Sequence, residues 1–312
     1  MPRDFYLYML LNILLSIFII PSLGANYFNF DGFLNMQNSN VAVSVEQQAP
    51  KRIYTDYLDV KISAQSALAV DVKSGKVLYK KNHDDLRSIG SITKLMSALV
   101  FLDQNPNWQN NFSIKETDRR SGNIIYINIG EILTIKDLFY EGLVVSDNDA
   151  IMALVRSTGL TETEFVRLMN QKADEMGLKN TKFTDPTGLD FGNKSTASDL
   201  ARFLNIALEN PAIAKATSMT DYEFDVSWEQ NSKEKTRTIK VKNTDLLLKS
   251  YLKVMGGKTG HLEEAGYCVA TKIKGEAEQE IIVIVLGSDS NFNRFQDVKA
   301  ITDWVFANYQ WQ

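Results

Sequence analysis

The chain is poor in the two residue types on which much hydrolytic and metal chemistry is built. Its 312 residues include one cysteine, Cys268, and two histidines, His83 and His261. A single cysteine excludes an intrachain disulfide framework, and together these counts leave too few ligands for a Cys/His zinc site. A Ser-His-Asp hydrolase would have to draw its base from two positions, so a base other than histidine is expected if the chain is an enzyme. Neither sign of charge is in excess. The 34 Lys and Arg against 38 Asp and Glu give a net charge of −4, which is no electrostatic footprint for nucleic acid. With 44% hydrophobic and 23% charged residues, the composition excludes disorder, collagen or coiled coil as a description of the whole.

What is present begins with an apolar N-terminus. Phe5 to Ile20, sixteen positions, is broken only by Asn12 and Ser16, and Pro21, Ser22, Gly24 and Ala25 follow. That length suits a signal-peptide core better than a membrane span, which needs about 20 residues. Asp4 offsets Arg3, so an uncleaved anchor is the alternative. Residues 1–25 are therefore expected to be a signal peptide or N-terminal anchor. The protein is expected to be exported, to the periplasm or the extracytoplasmic face of the cell membrane, with membrane contact only through this segment. Residues 26–60 are rich in Asn, Gln and Ser without a sustained period and read as a linker. Residues 61–312 read as one globular domain.

Within that domain, Leu68–Asp71 and Lys76–Tyr79 flank Lys73-Ser74-Gly75 as a hairpin. Ile92–Leu102 is dense in apolar residues and reads as a buried helix. Thr134 with Asp137, Thr161 with Glu164 and Thr196 with Asp199 are spaced as helix N-caps. The first opens a helix through Leu143, the second one stopped at Gly177, the third one ending before Pro211; Asn148–Val155 is a further helix. Tyr222–Trp228 and Thr236–Lys242 look like a hairpin. Val254–Met255, Gly266–Ile273 and Glu280–Leu286 are strand candidates, and Phe295–Phe306 a closing helix. Cys268 falls in the run Ala-Gly-Tyr-Cys-Val-Ala, as a buried structural thiol would. The order predicts an α/β fold of α+β type, its sheet assembled from both ends of the chain around an inserted helical block.

Three short motifs carry chemistry. Ser91-Ile-Thr-Lys94 places an amine one helical turn from a hydroxyl, and a desolvated Lys gives up its proton more readily and can serve as base. Ser232/Lys235 and Ser250/Lys253 match the same spacing, where a simple helix-face pair is the plain reading. Ser146-Asp147-Asn148 lies between two apolar runs, as a loop docked on the core does; a helix N-cap at Ser146 is the structural alternative. Ser121-Gly122-Asn123 fits Ser-x-Asn as well, in a polar turn. Lys258-Thr259-Gly260 follows Gly256-Gly257 and offers a cation and a hydroxyl on a strand that a ligand backbone can approach closely. A phosphate-binding loop is rejected, because position 252 is Leu252 where that loop needs Gly. Each triplet alone is cheap. Their order, with separations of 55 and 112 positions, is that of penicillin-recognising serine acyl-transfer enzymes.

The sequence resembles the low-molecular-weight penicillin-binding proteins, the D-alanyl-D-alanine carboxypeptidases of the S11 peptidase family. The resemblance extends beyond the motifs over residues 61–310, including Gly90-Ser91-Ile92-Thr93-Lys94-Leu95-Met96, Ser146-Asp147-Asn148-Asp149-Ala150, Asp185-Pro186-Thr187-Gly188-Leu189 and Gly257-Lys258-Thr259-Gly260-His261. It implies a DD-peptidase/β-lactamase-like fold, an antiparallel sheet flanked by helices, no cofactor and no metal. It implies a penicillin-inhibited carboxypeptidase whose partners are peptidoglycan stem peptides and β-lactams. By the same resemblance Ser91 is the nucleophile and Lys94 its base, while Ser146 relays a proton and Lys258 supplies positive charge that keeps Lys94 neutral. Asn148, Lys258, Thr259, Gly260 and Arg294 bind substrate, Lys258 and Thr259 at the terminal carboxylate with Arg294 as its second ligand, and the backbone N–H of His261 joins that of Ser91 in an oxyanion hole. The sequence ends just after the closing helix, where many relatives carry a second β-rich domain, which makes a DD-endopeptidase the alternative. A β-lactamase of the related class would need a Glu-x-x-Leu-Asn segment, and Glu175 is followed by Met-Gly-Leu-Lys-Asn instead. An inert wall-binding module is the remaining alternative, set against three intact motifs.

Overall fold

A strand buried on both faces has no reason to alternate polar and apolar residues, and the two central strands of this chain do not. Every residue of β1 (Ser66–Asp71) is buried, and eight of the nine in β9 (Glu280–Ser288). In the computed structural model, which describes residues 49–53, 60–122 and 124–312, these strands lie at the middle of a sheet. It is completed by β2 (Val77–Lys81), β7 (Lys253–Leu262) and β8 (Gly266–Lys274), in the order β7-β8-β9-β1-β2, with every pairing antiparallel. The sheet thus joins the two ends of the domain, as expected. Successive side chains take opposite faces. Ala67, Ala69, Ile281, Val283 and Val285 pack with Val298, Ile301 and Val305 of the closing helix. Leu68, Val70, Ile282, Ile284 and Leu286 pack against the inserted helices.

Seven α-helices occur among the described residues: α1 (Lys94–Asp103), α2 (Ile135–Val144), α3 (Asn148–Ser157), α4 (Glu162–Glu175), α5 (Ala197–Glu209), α6 (Pro211–Ser218) and α7 (Asn291–Asn308). Thr134, Thr161 and Thr196 cap α2, α4 and α5, each accepting from the backbone N–H three residues on. The α5 pattern stops before Pro211 because a new helix starts there, with Pro at its first position and Asn210 as its cap. A second sheet consists of β3 (Asn111–Ser113), β4 (Ile132–Thr134) and the expected hairpin, β5 (Asp221–Gln230) and β6 (Lys233–Lys242), in that order; β3 and β4 are not among the expected strands. Two of its strands have three residues each, too short to show a period.

All the described residues belong to one unit, Asn40–Gln312. The expected export segment, 1–25, lies outside the described residues. Residues 49–53 and 60 of the expected linker are among the described residues. Lys51 and Arg52 pair with Gln310 and Tyr309, and Ile53 N–H donates to Asn308 O at 2.9 Å. No helix of the described residues is long and apolar enough to cross a membrane.

Candidate active site

The site forms where α1, the α2–α3 loop and β7 meet. Ser91 lies in a 3-10 turn, Gly90–Thr93, that runs directly into α1, so Lys94 follows one turn later. Its Nζ is 2.8 Å from Ser91 Oγ, 2.6 Å from Asn148 Oδ1 and 2.6 Å from Thr187 O. The last two oxygens can only accept, and a neutral amine has two N–H groups. In that state both N–H groups are used and the lone pair is left for the Ser91 hydroxyl. Lys94 is 0% exposed. Burial lowers its pKa from 10.5 to about 7, against the opposing pull of Asp185 and Asp147.

The α2–α3 loop supplies Ser146. Its φ of 69° is left-handed, uncommon for a residue with a Cβ and costly unless the surroundings enforce it. The N-cap of α3 is the next residue, Asp147, whose side chain accepts from the N–H groups of Asp149 and Ala150. With Asp147 as cap, the Ser146 hydroxyl is free to meet Lys258 Nζ at 2.8 Å, and Asn148 opens α3 facing Lys94.

Lys258, Thr259 and Gly260 are buried on β7, an edge strand paired only with β8 among the described residues. Lys258 is 2% exposed. Burial, with the positive charges of Lys94 and Arg294, holds it well below the ordinary amine range. Burial leads at both amines, and both are driven toward neutrality. Thr259 Oγ1 is 2.7 Å from Thr244 Oγ1. Gly260 is required by a close approach: a Cβ there would sit 2.2 Å from Ile89 O and 3.2 Å from Ser91 N. A Cβ on Gly90 would likewise fall 2.7 Å from the backbone N of His261. These contacts bring the Ser91 and His261 segments side by side. The His261 ring stacks on Tyr267. Arg294, in the first turn of α7, directs its guanidinium to backbone, donating to Gly260 O at 3.0 Å and Cys268 O at 3.3 Å. It thereby grips the strand that carries the motif.

Several site residues have no role in the sequence reading, although Asp185 belongs to one of the segments that carry the resemblance. Asp185 accepts from Gly188 N–H at 2.9 Å and Thr187 N–H at 3.2 Å, and also bonds the Asn193 amide. This turn presents Thr187 O to Lys94. Asp245, fully buried and raised to about 6 by that burial, lies in the electrostatic reach of Lys258 and Arg294. The two look-alikes of Ser-x-x-Lys fall elsewhere: Ser232 and Lys235 in the β5–β6 hairpin, Ser250 and Lys253 at the entry to β7. Asn123 lies outside the described residues. His83 is bonded to Ser198 and Asp84 and holds the start of α5.

The chain matches, over residues 48–290, the model of the S11 peptidase family described as D-alanyl-D-alanine carboxypeptidase. It is 32% identical over 254 residues to the D-alanyl-D-alanine carboxypeptidase DacF of Bacillus subtilis, covering 79% of this chain and 63% of that one. It is 30% identical over 269 residues to a D-alanyl-D-alanine endopeptidase of Pseudomonas aeruginosa, covering 85% and 84%. Among solved structures it is similar to the Streptomyces K15 DD-transpeptidase, with a TM-score of 0.73 at 29% identity, covering 80% of this chain and all of that one.

Proposed function

Because the chain belongs to the S11 peptidase family of D-alanyl-D-alanine carboxypeptidases, we propose that it is a serine-type DD-carboxypeptidase acting on peptidoglycan stem peptides. The observation that carries this reading is the buried Ser91–Lys94 pair, with two N–H acceptors that leave the amine lone pair to the serine. Ser91 Oγ attacks the carbonyl of the penultimate D-Ala as its proton passes to Lys94. The N–H groups of Ser91 and His261 stabilise the oxyanion, typically by about 3 kcal/mol per donor. Ser146 passes a proton on to the departing D-Ala amine, the acyl-enzyme forms, and water releases it. Asn148 bonds the substrate peptide.

The terminal carboxylate is held by Thr259 and Lys258. Its charge favours the protonated form of Lys258, which burial alone disfavours. Arg294 contributes by fixing Gly260 and hence its neighbours. The free edge of β7 accepts the extended peptide as an added strand. β-Lactams acylate the same serine. Consistent with the wall substrate, residues 1–25 direct export and the domain works outside the cytoplasm. Cross-link cleavage is the second reading, favoured by the 84% coverage of the Pseudomonas aeruginosa endopeptidase. Incubation with defined pentapeptide and cross-linked muropeptides, followed by mass spectrometry, separates them. Released D-Ala supports the carboxypeptidase, and monomers from dimers the endopeptidase; neither product would refute both.

A further inference from the structure

Glu141 lies in the last turn of α2, one turn before Ser146, and is 0% exposed. Neither carboxyl oxygen has a conventional donor within hydrogen-bond distance among the described residues. Its neighbour is another acid: Glu141 and Asp147 share a side-chain hydrogen bond. Two carboxyl groups bond to each other only if one of them carries a proton. Asp147 is occupied as an acceptor, with Oδ1 taking the N–H groups of Asp149 at 2.7 Å and Ala150 at 3.3 Å, at a helix N-terminus that favours negative charge. The proton therefore belongs on Glu141. We propose that Glu141 is a positioning residue, which donates its carboxyl proton to Asp147 and thereby fixes the Ser146-Asp147-Asn148 turn against Lys94 and Lys258.

The inference rests on the proposed acyl transfer at Ser91, since it assigns Glu141 a part in that site. Burial and the charge of Asp147 both push the Glu141 pKa well up, in agreement with the geometry. The other titratable groups facing the pair are Lys94, Tyr126 and Asp149, the last paired with Arg119. A neutral Glu141 leaves one negative charge on the pair. An ionised Glu141 would add a second beside Lys94 and raise the pKa of its amine.

Glu141→Gln separates these states, because the amide can donate to Asp147 and carries no charge. The experiment measures acylation by a fluorescent penicillin against pH for wild type, Glu141→Gln and Glu141→Ala. Loss of the donor in Glu141→Ala slows acylation about tenfold, equivalent to about 1.4 kcal/mol and within the range for one buried hydrogen bond. Gln restores most of that rate and leaves the acid limb of the profile in place. A limb displaced to lower pH in Glu141→Gln would mean the native glutamate is ionised and would overturn the assignment. So would an Ala variant as fast as wild type. Infrared spectroscopy supplies a readout independent of activity: the protonated-carboxyl stretch of the folded wild type is lost in Glu141→Gln. A spectrum unchanged by the substitution would refute the shared proton even if Glu141→Ala fails to fold. Wild type that resists acylation yet loses the band in Glu141→Gln would indict the acyl-transfer reading and leave the proton assignment standing.

Discussion

The most demanding consequence of the geometry concerns Lys94. Its pKa falls from 10.5 to about 7 on folding, a difference of about 3.5 units, or about 5 kcal/mol at 1.36 kcal/mol per unit. At neutral pH the unfolded chain holds a proton on this amine that the folded chain has partly lost. The unfolded state binds more protons between pH 7 and 10.5, so the contribution of Lys94 to stability becomes more favourable as pH rises through that window. Below pH 7 both states are protonated and the full cost of burying the charge is felt. Replacement by the uncharged, similar-sized methionine removes this dependence. The stability of wild type relative to Lys94→Met should therefore improve by several kcal/mol between pH 7 and 10, measured by urea denaturation at a series of pH values. The same proton governs catalysis: acylation by penicillin should rise about tenfold per pH unit below 7 and level off above it. Parallel stability curves for the two proteins, or an acylation rate flat from pH 5 to 8, would refute the reasoning.

Three further outcomes follow from named contacts. Asp185 raises the Lys94 pKa through its charge, so Asp185→Asn should move the acid limb of acylation to lower pH; a limb moved upward would contradict this. Gly260→Ala should abolish acylation, since its Cβ would fall 2.2 Å from Ile89 O, and a variant acylated at the native rate would remove the close approach from the account. Cys268 is fully buried, with burial pushing its thiol up to about 11. It should resist a thiol reagent until the protein unfolds, and rapid modification under native conditions would show otherwise.

The parts of the site that lie next to one another in the chain were legible from it. Ser91 and Lys94 are one turn apart, Ser146 and Asn148 share a loop, and Lys258 to His261 share a strand. Their convergence is long-range, and no residue spacing encodes it; resemblance to a family supplied that step. The supporting residues were harder for a physical reason. Asp185 and Asn193 act through backbone groups they hold, and in sequence they look like any turn-forming Asp and Asn. Glu141 did leave a signal, an acidic residue amid the buried face of an apolar helix, which is costly unless paired. In the fold, Val254–Met255 and Lys258-Thr259-Gly260 read as separate pieces of strand, because Gly256 and Gly257 interrupt the propensity, while the β8 pairing makes one strand of them through to Leu262. Gly260 is what allows this strand to lie against the serine turn.

The central claim is that Ser91 becomes covalently acylated with Lys94 as its base. The most direct measurement is mass spectrometry of the folded protein after incubation with penicillin, with peptide mapping of the adduct. The account predicts one penicillin per chain, on the peptide that contains Ser91, and none in Ser91→Ala. An adduct on any other residue, or none on the wild type, would contradict it.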